Sequence, residues 1–372
     1  MNVTFFINTP AQYHFYTQIA RELQKRGDEI FLLGRDYGET KYLFKEKEIS
    51  FYQYSRPPKL KLGKILSTPF DVLNAYNYLK KLGIDLVSGF GGYEVYTSAL
   101  LKVPSIVFTD SEYHVNRISY QTQFRLFQPL AEVIITPQAY RQHLGAKQIR
   151  VNSYKELAYL HPNYFSPDGD IGNLLNIDKG EEYVLLRFNA FYGLHDLGIG
   201  GFRDQDKIKL VHELEKYAKV FISSEVEVPD SIKDRVLRIT KSRIHDVIFH
   251  AKLLITDTQT MTTEAAILGT PAIRCNSFVG PNDMSNFIEL EQKYVLIFNF
   301  SDPELAIQKA IELIQTPDLK QEWQKKRERL LKEKIDITAF MVWFVENYPE
   351  SFRMMKERPE IQERFKIYET KY

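Results

Sequence analysis

The sequence predicts an α/β protein made of two doubly wound, Rossmann-like halves, and three observations carry that expectation. Short apolar runs alternate with helix-period segments along most of the 372 residues, the pattern of βαβ units around a parallel sheet. The alternation halts over 156–168, where Pro162 and Pro167 interrupt it, and then starts afresh. From residue 319 onward the chain reads as helical and highly charged, unlike either half.

The first half opens with a strand over 3–7, and Asn8-Thr9-Pro10 turns it into a helix whose apolar Phe15, Ile19 and Leu23 recur at helical spacing until Gly27. A strand over 29–33 follows, and a βαβ start makes right-handed parallel crossovers the first expectation. The pattern continues with a strand over 49–52, a helix over 64–82 stopped by Gly83, and a strand over 85–87. Ser88-Gly89-Phe90-Gly91-Gly92 reads as a flexible loop before a helix over 94–101. Core strands are expected over 105–109 and 133–136, with 148–151 as the last. In the second half, strands over 183–186 and 220–222 flank a helix over 206–217, and 236–239 is a further strand candidate. Ser242 stands where it could cap a helix reaching Ala251.

The stretch over 253–274 then reads as one unit: a buried strand, a polar loop over 257–260, a helix ended by Gly269, and another strand. In open α/β sheets ligands bind at such a place, because free N–H groups and the positive helix end point into the loop. A strand over 295–298 is followed by Asp302-Pro303, a cap with Pro in the first helical position, opening a helix that runs to Gln315. In the tail, Phe340, Val342, Trp343, Phe344 and Val345 form an apolar cluster that needs a covering surface, and the first half is the expected one. The expected division is 1–160, 161–335 and a helical tail over 336–372.

A formal charge of +1 gives no field that would favour nucleic acid. With 44% hydrophobic and 26% charged residues the composition is that of a globular chain and not a disordered one. The single cysteine, Cys275, excludes an intrachain disulfide and a multi-cysteine metal site, so a reducing, cytoplasmic setting fits. The start of the chain shows no secretory signal pattern, and no apolar run reaches the roughly 18 residues of a membrane span.

Two doubly wound halves, a mid-chain crossing and a returning helical tail resemble the GT-B architecture, in which two such domains face a central cleft. Thr256-Asp257-Thr258-Gln259-Thr260-Met261-Thr262-Thr263-Glu264-Ala265, followed by Leu268-Gly269-Thr270-Pro271, resembles the nucleotide-sugar motif of UDP-N-acetylglucosamine 2-epimerases. There Thr-Asp-Ser-Gly-Gly leads to Glu-Glu-Ala and then Leu-Gly-x-Pro. The chain over 1–345 also resembles a GT-B-like family of unknown function, found largely in archaea. That family shares His14-Phe15 through Leu23 to Gly27, Leu157-Ala158-Tyr159-Leu160-His161-Pro162, and Gln259-Thr260-Met261-Thr262-x-Glu264-Ala265.

The resemblance implies a nucleotide-sugar, UDP-linked, as donor substrate in the interdomain cleft, with no separate cofactor and no metal. It implies a glycan or lipid-linked acceptor, reached from a membrane face if need be, and no nucleic-acid partner. It sets Thr258 on the phosphate-binding serine and Glu264 on the glutamate that holds the ribose hydroxyls. A carboxylate one turn into a helix can accept both hydroxyls while the helix amino end faces the pyrophosphate. Gln259 and Thr260 replace the two glycines, so the hydroxyls of Thr258, Thr260 and Thr262 are the expected phosphate donors, with Met261 beside them. The competing reading makes Thr258 and Thr262 caps and Glu264 a solvated first-turn carboxylate. Arg187, and His195 in the glycine-rich stretch over 193–201, are expected to meet the donor's charge.

The epimerase chemistry itself is not expected. Phe90 stands where its catalytic aspartate would be, and Arg187-Phe188-Asn189-Ala190 replaces its His-Arg-Arg-Glu loop. Inverting GT-B glycosyltransferases of the plant type carry a general-base histidine where His14 stands, oriented by an aspartate for which Asp110 is the candidate. Glu112 and His114 lie in the same loop as alternatives. A histidine with an ordinary pKa of about 6.5 can accept a proton from a sugar hydroxyl; the other role open to His14 is helix packing through a backbone carbonyl. The leading expectation is sugar transfer, with an epimerase or hydrolase of altered mechanism and a non-catalytic nucleotide-sugar-binding protein as alternatives.

Overall fold

A computed structural model describes residues 1–36, 40–56, 61–112, 118–169, 171–178, 180–189 and 200–366, with the backbone alone at 61–66 and 118–120. The chain divides into two compact units. Unit 1 holds Met1–Tyr164 and takes the chain up again from Lys334, and unit 2 holds Phe165–Glu333.

Unit 1 is built from β1 (Asn2–Ile7), α1 (Pro10–Lys25), β2 (Glu29–Arg35), α2 (Thr40–Glu46), β3 (Tyr52–Ser55), α3 (Lys61–Leu79), β4 (Leu86–Gly89), α4 (Gly92–Leu101), β5 (Ser105–Phe108), α5 (Ile118–Phe127), β6 (Val133–Pro137), β7 (Gln148–Val151) and α6 (Leu157–Leu160). Its seven strands run parallel in the order β3-β2-β1-β4-β5-β6-β7. The order reverses between β1 and β4, and that reversal opens a crevice at the strands' carboxyl ends. Thr9 caps α1 by accepting from the Gln12 N–H, and Pro10 fills the first helical turn, where a missing N–H costs nothing. Inside, Phe6, Leu33, Tyr54, Ala75, Leu79 and Val87 form one core cluster, and Val95, Val107, Phe124, Phe127 and Ile134 another.

Unit 2 contains α7 (Ile171–Leu175), β8 (Tyr183–Phe188), α8 (Asp204–Leu214), β9 (Lys219–Ser224), α9 (Ile244–His250), β10 (Leu253–Thr256), α10 (Thr260–Leu268), β11 (Ala272–Cys275), α11 (Ser285–Gln292), β12 (Ile297–Phe300), α12 (Pro303–Ile314) and α13 (Leu319–Glu333). Its strands are parallel in the order β12-β11-β10-β8-β9, so the switch point lies between β8 and β10. The strand expected over 236–239 shrinks to one parallel bridge, Val236 with Ile222, and the Leu237 N–H bonds the Ile222 carbonyl at 2.8 Å. Ser242 falls inside a 3₁₀ turn over Lys241–Arg243, and Arg243 takes the cap position of the helix. Asp302 does cap α12, accepting from the Glu304 N–H at 2.8 Å. From Met261 to Leu268 the helix α10 is buried, the polar Thr262, Thr263 and Glu264 included. Its last carbonyls are met by α13: Arg327 Nε reaches Ile267 O at 2.7 Å and Gln324 Nε2 reaches Leu268 O at 3.0 Å.

The tail completes unit 1 with α14 (Ile337–Glu346) and α15 (Glu350–Glu357). Asp336 caps α14 through the Ala339 N–H and also accepts from the Tyr164 hydroxyl at 2.8 Å, tying the tail to the end of the first chain segment. Phe340, Phe344 and Val345 are buried, and α14 lies against α1 and α6. The helix therefore covers its apolar face on unit 1.

Candidate functional site

In unit 2 the in-register neighbours at the strands' carboxyl ends form one row across the sheet, Ser223, Arg187, Thr256, Arg274 and Asn299. Residues paired in register share a face. Thr256 Oγ1 accepts from the Thr258 N–H at 2.9 Å and bonds the Thr258 hydroxyl at 2.8 Å, closing the turn that leads into α10. Gln259 occupies the cap position of that helix and makes no side-chain cap bond, so among the described residues α10 begins without a side-chain acceptor for its first-turn donors. Such an end favours an anion, through its N–H groups and the helix dipole. Thr258, Gln259 and Thr260 are partly exposed around it. Thr262 is buried and gives its hydroxyl proton to the Thr258 carbonyl at 2.6 Å, and Met261 is buried as well.

Arg187 emerges from β8 beside this turn. Its Nη1 donates to Ser223 Oγ at 2.8 Å and its Nη2 pairs with Glu225, while its buried Nε has no hydrogen-bond partner among the described residues. Arg274, fully buried in the same row, pairs with Asp283, donates to Asn299 Oδ1 at 2.8 Å and lies over the Phe287 ring. Asp283 thus ties the loop after β11 to the sheet. The Glu264 carboxylate, 4% exposed, sits 3.0 Å from His245 Nε2 of α9. His195 lies outside the described residues.

Asp257 links the loops around the switch point. Its Oδ1 accepts the Asn189 N–H at 2.7 Å, its carbonyl accepts from Asn276 Nδ2 at 2.9 Å, and a side chain at Gly201 would collide with its carboxyl group. Burial pushes this carboxyl up to about 7, against the opposing pull of the Asn189 amide, Lys207 and Arg187.

In unit 1 the carboxyl edge holds the other candidates. His14 stands in the second turn of α1, with its ring 5.0 Å from that of Tyr159 and 5.3 Å from that of Tyr13. Asp110 is engaged by the ammonium of Lys155, which also lies 3.4 Å from Glu156. Burial works against the Lys155 charge, but Asp110 and Glu156 overcome it and hold the ammonium above its ordinary range. Glu112 is buried and accepts the Arg141 N–H at 2.8 Å, which binds the carboxylate to a neighbouring loop. His114 lies outside the described residues.

Three groups escaped the sequence reading. Lys155 and His245 gave no signal, because their partners stand 45 and 19 residues away. Glu94 had one, its place in the first turn of a helix after a glycine-rich loop. Its carboxylate folds back to accept the Gly91 N–H and lies so close to Gly89 that any side chain there would collide with it. Complete burial raises its pKa to about 7. A carboxyl group therefore stands beside the glycine even though Phe90 follows it.

Two units of Rossmann-like topology, each a parallel sheet wound with helices, define the GT-B class of fold shared by glycosyltransferases and UDP-N-acetylglucosamine 2-epimerases. Within that class the chain belongs to the family described as "Protein of unknown function (DUF354)", which matches residues 2–284. The UDP-GlcNAc 2-epimerase of Neisseria meningitidis, solved with UDP-GlcNAc, is 13% identical with a TM-score of 0.64, covering 93% of this chain and 100% of that one. The epimerase of Methanocaldococcus jannaschii is 13% identical at a TM-score of 0.60, covering 85% and 94%. MurG of Acinetobacter baumannii is 15% identical at 0.54, covering 93% and 99%.

In sequence, the UDP-N-acetylglucosamine–N-acetylmuramyl-(pentapeptide) pyrophosphoryl-undecaprenol N-acetylglucosamine transferase of Acinetobacter baumannii is 35% identical over 81 residues. The match spans 20% of this chain and 22% of that relative's length. Among the described residues no helix is long and apolar enough to cross a membrane.

Proposed function

We propose that this protein binds a UDP-linked sugar at the carboxyl edge of the second sheet and transfers the sugar to a glycan or lipid-linked acceptor without a metal. The observation that carries the reading is the amino end of α10, which has no side-chain cap at Gln259 and lies at the switch point between β8 and β10, with Thr258 and Thr260 partly exposed beside it. In this reading the diphosphate takes the place of the cap. Arg187 and the helix dipole meet the charge that develops on the leaving nucleotide, a task a metal would otherwise perform. Glu264 accepts the ribose hydroxyls. His14 in unit 1 takes the proton of the acceptor hydroxyl, and the Lys155–Asp110 pair supports the loop edge near the strand ends.

A second reading, epimerisation or hydrolysis by an altered mechanism, draws on Glu94. A carboxyl with a pKa near 7 is suited to proton transfer at neutral pH, and this one lies against Gly89. Titration calorimetry with UDP and UDP-N-acetylglucosamine tests the binding step, followed by incubation with labelled UDP-sugars. Free UDP with a new glycoside supports transfer, interconverted sugar supports the second reading, and binding without turnover identifies a sensor. A protein that binds no nucleotide refutes all three.

A further inference from the structure

We propose that His245 is the positioning residue of the ribose-binding carboxylate, an assignment that rests on the nucleotide reading above. His245 is the second residue of α9 and is 6% exposed, with its Nε2 3.0 Å from Glu264 Oε1. The helices α9 and α10 lie against each other, and each precedes or follows β10 in a parallel crossover. Both therefore start at the carboxyl edge of the sheet, where the nucleotide is proposed to lie. One helix supplies the carboxylate and its neighbour supplies the support.

The chemistry favours this arrangement. A glutamate has three rotatable bonds, and it meets two adjacent ribose hydroxyls from only a few of its rotamers. A carboxylate offers about four lone-pair positions, so it can bond an imidazole and a ligand hydroxyl together, and the imidazole restricts its plane. Nε2 must carry the proton to bond a carboxylate, which sets the tautomer of the ring.

The start of α9 is itself pinned on several sides. Asp246 accepts from Arg243 Nε at 2.7 Å and from the Asp168 N–H at 2.9 Å, and the Tyr183 hydroxyl donates to the Val247 carbonyl at 2.6 Å. The Phe165 ring stands edge-on to the imidazole with centroids 6.2 Å apart. These contacts give His245 a fixed place from which to hold Glu264, the condition for a pre-organised binding group.

The test compares UDP with 2′-deoxy-UDP on the full chain by titration calorimetry. The wild type is expected to favour UDP by roughly tenfold or more, since one hydrogen bond to a charged group is lost with the hydroxyl. His245→Phe keeps the ring shape without the donor, and is expected to bring the two ligands within about threefold of each other while the melting temperature shows it folded. His245→Gln, whose amide reaches the same point, is expected to restore the preference. Should the Phe variant fail to fold, His245→Asn, polar but too short to reach Oε1, takes its place.

A folded variant without the donor that keeps the wild-type ratio, or weakens both ligands equally, overturns the assignment. A Gln variant that behaves like the Phe variant does so as well. Wild-type protein that binds both nucleotides equally refutes the ribose role alone, whereas one that binds neither refutes the nucleotide reading beneath it.

Discussion

Replacing Asp257 with Asn removes a buried charge from the loop that joins β10 to α10. Asp257 is 2% exposed, and burial lifts its carboxyl from 3.8 to about 7. The folded protein thus keeps this proton to higher pH than the unfolded chain, and between about pH 4 and 7 the native state binds more protons. Stability from this group is fully present below about pH 4 and is lost as pH rises through 7. A gap of roughly three pH units corresponds to about 4 kcal/mol, at 1.36 kcal/mol per unit. Asn keeps an oxygen for the Asn189 N–H and forms no charge, so the variant escapes that loss. Urea unfolding of both proteins between pH 4 and 8 should show the Asn variant gaining on the wild type by several kcal/mol toward pH 8. Two stability curves that run parallel across this range would refute the electrostatic account.

His14→Ala should abolish turnover and leave UDP affinity within about twofold, measured by product formation and calorimetry; unchanged turnover would remove His14 from the proposed mechanism. Gly201→Ala places a methyl against the Asp257 carboxyl, and a thermal melt should show a loss on the order of 1–3 kcal/mol. Phe340→Ala opens a cavity under α14, where Phe340 is buried beside Trp343, Phe344 and Phe365. Denaturant unfolding should report a loss of about 3–5 kcal/mol.

Strand existence was legible wherever an apolar run was short and bounded. The runs at β1, β4, β5, β8 and β10 are buried along their length or nearly so, and full burial leaves an uninterrupted apolar string in the sequence. Boundaries were less legible at the sheet's edge. The third strand begins at Tyr52, later than the apolar pattern suggests, because an edge strand is half exposed and its residues alternate weakly. The candidate at 236–239 failed to become a strand for a related reason: one bridge to Ile222 is all the pairing it finds.

The β10–α10 element was readable because its signals are local: an apolar strand, hydroxyl-rich residues at a helix start, and Gly269 at the end with φ of 71°, a left-handed conformation that glycine adopts without a Cβ penalty. That the chain carries two Rossmann-like units followed by a tail also follows from order along the sequence alone. What each polar group does was decided by the tertiary structure. Asp110 meets Lys155, Glu264 meets His245, Glu94 returns to Gly89, and Arg187 is divided between Ser223 and Glu225. Periodicities of 2 and 3.6 residues report which face of an element is buried, but partners from different elements are brought together by strand order and crossover direction. Those are properties of the assembled sheet, and no window of sequence contains them.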